Sequence, residues 1–181
     1  MGVEIEKKYR LDEISTARIV ELLAEFGAES RGEEFEENSI FGGGVLDRDR
    51  AVLRIRKTPV RTLLTYKRRI PGIASVKQQV EFETEIADAS EIEQIVAHLG
   101  FEARVVYEKR RRTWKFREVE VVLDELPFGL FMEIEGSLTA IGEAEMLLEA
   151  EDLEIVHETY PALTANLGKR IDGRVEARFE D

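Results

Sequence analysis

The chain has 181 residues, 43% hydrophobic and 35% charged, with a net charge of −12 from 38 acids against 26 bases. That length is enough to bury a real core in one domain, and the acidity disfavours nucleic acid or an anionic membrane surface as main partner while leaving room for a small anion in a local basic pocket. There is no cysteine and histidine occurs only as His98 and His157, which excludes disulfides and thiolate chemistry and leaves hard, oxygen-bound cations as the expected metals.

No signal-like or membrane-spanning run stands out, so a cytoplasmic protein is expected. "VEIEKKYRL" (3–11) reads as a strand in which Val3, Ile5, Lys7 and Tyr9 alternate with Glu4, Glu6, Lys8 and Arg10. "DEISTARIVELLAEFG" follows as a helix, with Ile19, Leu22, Leu23 and Phe26 on one side and Gly27 as its stop. Residues 33–41 are strand-like and lead to a turn at Gly42, Gly43 and Gly44. Strands are expected at 51–57 and 61–69, broken at Pro59, and at 76–86 after a loop with Pro71 and Gly72.

"DASEIEQIVAHLG" carries the helical stripe Ile92, Ile95, Val96 and Leu99 and ends at Gly100. Strands at about 103–117, 118–125 and 130–137 and helices at roughly 139–150 and 160–168 complete the single domain spanning 1–181. The charged tail from about residue 170, including "GRVEARFED", is expected to be loosely held. "VEIEK" before a helix ending "AEFGAES" returns as "VEFET" before a helix ending "AHLGFEA", a faint sign of two duplicated halves.

Charge is sorted by strand and by face. Arg54 and Arg56 oppose Leu53 and Ile55; Glu81, Glu83 and Glu85 oppose Phe82, Thr84 and Ile86. Lys109 and Arg111 share a side with Tyr107 and Thr113, and Glu133 and Glu135 share one with Phe131. Lys67 sits within "LLTYK", and Asp124 ends "VEVVLD". A face tuned only for solubility mixes signs more evenly. About eight strands suffice for closure, and with helices over an apolar outer wall the charged face would line the inside. The expected fold is therefore α+β: a closed eight-stranded antiparallel β-barrel, a tunnel with a charged interior and helices packed outside. A lumen holding both signs suits a polyphosphate carrying magnesium, whose oxygens take the arginines while its metal takes the carboxylates.

The residues also resemble a known family. "EIEKK" supplies the Glu-x-Glu-x-Lys signature, Glu4, Glu6 and Lys8, of the CYTH superfamily, the triphosphate tunnel metalloenzymes that group class IV adenylate cyclase with thiamine triphosphatase. "LRIR", "TYK", a Glu-rich strand, "EKRRR", "VVLDELPFGLFMEIEG" and "TYPAL" follow in the family's order, so the likeness spans about residues 3–165. The resemblance implies that Lys8, Arg54, Arg56, Lys67, Lys109 and Arg111 bind triphosphate. It implies that Glu4, Glu6, Asp124, Glu133 and Glu135 surround Mg2+ or Mn2+, and that Glu4, Glu6 and Lys8 act in catalysis. Glu81 and Glu83 match the middle-strand glutamates, with a looser role.

The activity so implied is a metal-dependent triphosphatase acting on tripolyphosphate, thiamine triphosphate or a nucleoside triphosphate. A class IV adenylate cyclase and a non-catalytic polyphosphate or nucleotide binder are the alternatives. The partner is then a small-molecule triphosphate, and a homodimer is one option for assembly. Two departures bear on substrate choice: Gln78 and Gln79, with Lys77 nearby, stand where members often carry an arginine, and Ile40 and Gly42 replace an aromatic and an acid. "GGGVLDRD" lacks the Lys-Ser/Thr of a P-loop and reads as a turn. Trp114 and Phe116 read as packing residues, His98 as structural, and Ser15 and Thr16 as helix caps.

Overall fold

The computed structural model describes residues 5–69 and 79–180. The elements in chain order are β1 (Glu6–Leu11), α1 (Glu13–Glu25), β2 (Glu29–Gly42), α2 (Gly44–Asp49), β3 (Ala51–Lys57), β4 (Thr62–Arg69), β5 (Gln79–Ile86), α3 (Ala89–His98), β6 (Glu102–Phe116), β7 (Val119–Leu126), β8 (Gly129–Glu135), α4 (Leu138–Leu147), α5 (Tyr160–Leu167), β9 (Lys169–Ile171) and β10 (Arg174–Ala177). Val3, Glu4, Pro71, Gly72, Lys77 and Gln78, all singled out above, lie outside the described residues. Among the described residues no helix is long and apolar enough to cross a membrane.

The closed antiparallel barrel is not what forms. The strand order is β1-β8-β7-β6-β2-β3-β4-β5, an open series in which β1 pairs with β8 and β5 with β4 and the two ends do not meet. Among the described residues the sheet has ten strands, and it is not wholly antiparallel, because β10 runs parallel to β6 at Val175, Glu176 and Ala177. The outer edge of β1 shows why closure is not available there. The Arg10 amide donates to the Glu154 carbonyl at 2.9 Å, and the Val156 amide donates to the Lys8 carbonyl at 2.8 Å. Residues 154–156 thus occupy the edge that a closing strand would need. Counting strands permits closure but does not dictate the tilt and stagger that closure requires.

The triple glycine opens a helix instead of making a simple turn. Gly43 and Gly44 take φ of +115° and +49°, torsions that glycine adopts without steric cost, and the Gly43 amide donates to Asp47 Oδ1 at 3.1 Å at the start of α2. Ser15 does cap α1, as the third residue of a capping box whose N-cap is Asp12.

The chain divides into two compact units. In the first, residues 5–34 and 109–158, the sheet β1-β8-β7-β6 turns one face to α1 and α4. Tyr9, Leu11, Phe116, Val121, Leu123, Met132 and Ile134 pack there with Ile19, Leu22 and Leu23 of α1 and Ile141 and Ala144 of α4. Leu23, Val121, Met132 and Ile134 are wholly buried, each contributing roughly 1.5–3 kcal/mol. Trp114 packs against this cluster, in keeping with its expected role. In the second unit, residues 35–108 and 159–180, Phe41 and Ile55 pack with Leu46 of α2 and Val96 of α3. Only half of the α3 stripe is covered: Val96 is buried, whereas Ile95 and Leu99 are 52% and 68% exposed. His98, exposed, hydrogen-bonds through Nδ1 to the Gln94 carbonyl of its own helix at 2.8 Å.

Glu145 ties α4 to β1. The Tyr9 hydroxyl donates to its Oε1 at 2.5 Å, and Lys7 Nζ donates to both oxygens at 2.9 Å. Burial pushes the Glu145 carboxyl up, but Tyr9 and Lys7 more than offset this and hold it below its ordinary 4.5. A carboxyl so depressed stabilises the fold fully above that value and loses its contribution as pH falls through its folded-state value. Glu145→Ala is expected to cost about 1–3 kcal/mol in urea unfolding at neutral pH, and the gap to the parent should narrow as the buffer is taken below pH 4.5.

Candidate functional site

Strand alternation turns the opposite face of each unit's sheet into a charged one. In the first unit, β1 and β8 pair Lys8 with Glu133 and Glu6 with Glu135, β7 sets Glu120 beside Glu135, and β6 sets Arg111 opposite Asp124. These side chains sit on the face away from α1 and α4 because their neighbours Tyr9, Ile134 and Leu123 lie in the apolar core.

Asp124 is at the centre of this face, 1% exposed. Arg111 grips it through Nε at 2.7 Å and Nη2 at 2.5 Å, and Nη2 also reaches Glu133 Oε2 at 2.7 Å. Lys109, 3% exposed, places Nζ 3.5 Å from Asp124 Oδ1. Lys8, also buried, places Nζ 3.3 Å from Glu133 Oε1 and donates to the Glu158 carbonyl at 3.1 Å. Three predicted phosphate ligands and two predicted metal ligands therefore form one ion-pair cluster. Glu6 and Glu135 lie one step further along the same face, with Glu6 exposed and Glu135 half-buried. Glu4 lies outside the described residues.

In the second unit the charged face carries Glu36, Asn38, Arg54, Arg56, Thr65, Lys67, Glu81 and Glu83. Arg56 places Nε 3.3 Å from Glu36 Oε2 and donates to Asn38 Oδ1 at 3.4 Å. Arg54 donates from Nη2 to Thr65 Oγ1 at 3.3 Å, and the same nitrogen lies 3.7 Å from Glu83 Oε2. The Thr65 hydroxyl donates to that Glu83 oxygen at 2.7 Å. Lys67 and Glu81 form a separate pair at 2.9 Å. Burial, and then the charge of Arg56, press the Arg54 guanidinium below its ordinary value. Among the described residues its buried Nε has no hydrogen-bond partner.

Glu36, Asn38 and Thr65 were not anticipated, although each is at most 1% exposed and holds an arginine or its partner. Thr65 was within reach of period-two alternation, lying between Leu63 and Lys67. Glu36 was not, because "EEFEEN" places acids on both faces of its strand. The five acids expected around a metal have the right chemistry, hard carboxylate oxygens. Among the described residues, however, no three acids or histidines are gathered closely enough to hold an ion. Asp124 and Glu133 serve here as counter-ions to Arg111, Lys109 and Lys8.

The charged faces can be set beside known proteins. A family model of the CYTH domain matches residues 2–160. A Methanocaldococcus jannaschii protein provisionally named an adenylate cyclase is 32% identical over 160 residues, which cover 85% of this chain and 87% of that protein. A solved Pyrococcus horikoshii OT3 structure, 25% identical, superposes with a TM-score of 0.71 over 90% of this chain and 98% of the other. A Hippeastrum protein, provisionally named an adenylyl cyclase and described as having a dominant triphosphatase activity, shares the fold at 19% identity. Its TM-score is 0.68, over 97% of this chain and 100% of the other. With a match across residues 2–160 and a relative 32% identical along most of both lengths, the chain belongs to the CYTH domain family.

Proposed function

We propose that this protein is a divalent-metal-dependent triphosphatase that releases the terminal phosphate of inorganic or organic triphosphates. The observation that carries the reading is Arg54. Its side chain is 15% exposed, it lies on the face that holds Arg56, and its Nε lacks a partner among the described residues. A buried cation short of partners costs free energy until an anion arrives. Phosphate oxygens fit the fork of a guanidinium. Lys8, Lys67, Lys109 and Arg111 are the other cations that family resemblance assigns to phosphate.

Glu4, Glu6, Asp124, Glu133 and Glu135 are the acids that would hold Mg2+ or Mn2+, which would neutralise phosphate charge. Phosphate binding by Arg111 would loosen its hold on Asp124 and Glu133 and free their oxygens for that role. Hydrolysis then needs a water attacking the terminal phosphorus in line, with Glu6 orienting it and Lys8 and the arginines stabilising the charge that develops. No covalent intermediate is required.

The name of the Methanocaldococcus jannaschii relative favours a second reading, a class IV adenylate cyclase. In that reaction the ribose 3′-hydroxyl attacks the alpha phosphorus of ATP and pyrophosphate leaves. Incubation with tripolyphosphate, thiamine triphosphate, ATP or GTP and each divalent ion separates the two. Orthophosphate release that stops on chelation and resumes with Mn2+ is expected; cyclic AMP from ATP would replace the triphosphatase with the cyclase. Glu135→Ala should lower turnover on the order of 100-fold or more with unchanged circular dichroism, and an active variant would remove Glu135 from the metal site. Arg54→Met should raise KM for tripolyphosphate on the order of 10-fold, the loss of one charge-assisted hydrogen bond.

A further inference from the structure

The family match ends at residue 160, yet the chain beyond it is tied into the second unit by an ion-pair network. β10 lies parallel to β6, and just past its end Arg178 reaches three acids. Its Nε lies 2.6 Å from Glu176 Oε2, and its Nη1 lies 2.5 Å from Glu37 Oε2 and 2.7 Å from Glu108 Oε1. The Phe179 amide donates to the other Glu108 oxygen at 2.9 Å, and the Phe179 ring sits 6.4 Å from that of Phe35. Glu37 also meets Lys57 at 3.3 Å, and Lys57 meets Glu93 of α3 at 2.6 Å. Burial works against the Arg178 guanidinium, but Glu176, Glu37 and Glu108 hold it above its ordinary value.

The network grips β2 and β3 directly behind the Arg56 site. Glu37 pairs in register with Lys57, and Asn38 with Arg56. Consecutive residues on a strand point to opposite faces. The rows that Arg178 and Lys57 clamp on one face are therefore adjacent to those that present Glu36, Asn38 and Arg56 on the other. Without Arg178, Glu37 and Glu108 lose a shared cation, and among the described residues Glu37 keeps Lys57 as its ion-pair partner. We infer that Arg178, carried on the C-terminal segment, is a positioning residue for phosphate binding: it fixes the β2–β3 pair so that Arg56 is held ready for the anion. The inference rests on the proposed role of Arg56 in binding triphosphate.

A double-mutant cycle tests it on the full chain, with tripolyphosphate and Mn2+. Arg56→Met and Arg178→Met should each raise KM, by about 10-fold and about 3- to 10-fold, with kcat changed less. The double variant should be no weaker than Arg56→Met alone, since Arg178 acts through Arg56. Arg178→Lys should recover part of the lost affinity, and it carries the same cycle if Arg178→Met does not fold. A drop in melting temperature and active fraction with unchanged KM, or fully additive effects on KM, would make the clamp merely structural and overturn the inference. If the parent protein neither binds nor turns over tripolyphosphate, the functional reading falls instead, independently of the cycle.

Discussion

A carboxylate sealed from water is the constraint on which the first unit is organised. The Asp124 side chain has no exposed surface, and an unpaired charge in such a place would cost several kcal/mol. Arg111 meets it with two nitrogens and Lys109 with a third. That supply depends on register, because Arg111 lies directly opposite Asp124 across β6 and β7. A slip of one residue would send Arg111 among Val121, Leu123 and Met132 and strand Asp124 without its partner. The ion pair and the apolar layer behind it therefore specify one strand alignment together.

The second unit applies the same alternation with a different balance. Its face brings Arg54 and Arg56 close enough for the charge of one to depress the other. Glu36 pairs with Arg56 at 3.3 Å, while Arg54 bonds the Thr65 hydroxyl and lies 3.7 Å from Glu83. The cations of the first unit are thus held by short ion pairs to its own acids, whereas in the second Arg54 keeps a buried Nε without a hydrogen-bond partner among the described residues. Strand order carries the repeat seen faintly in the sequence. Shifting strands one to eight by four, cyclically, turns the series β1-β8-β7-β6-β2-β3-β4-β5 into itself read backwards.

Much of this was legible because it follows from period-two and helical patterning. Lys8, Arg111, Asp124 and Glu133 fall on one face, and Ile19, Leu22 and Leu23 are buried, as alternation and the helical stripe require, while Phe26, the fourth residue of that stripe, sits at the C-cap of α1 and stays 39% exposed. The family was legible from the order of short motifs along the chain. Closure was not, since the hydrogen bonds that seal β1 come from residues 154–156, a stretch with no strand signature of its own. The glycine run misled for a related reason: its left-handed torsions serve α2, and the sequence alone does not distinguish a tight turn from the start of a helix. Arg178 escaped notice because its partners Glu37 and Glu108 are brought to it by tertiary folding.

The segment that seals β1 also decides where the sheet remains able to recruit another strand. Unpaired strand edges are templates for intermolecular pairing, and with one flank of the series already occupied, β5 is the terminal strand left with a bare margin among the described residues. Glu81, Glu83 and Glu85 line that margin. An added strand with acids at the facing positions would set like charges opposite one another, which destabilises such a pairing, so the sequence of β5 disfavours a second copy of itself as the neighbour it lacks.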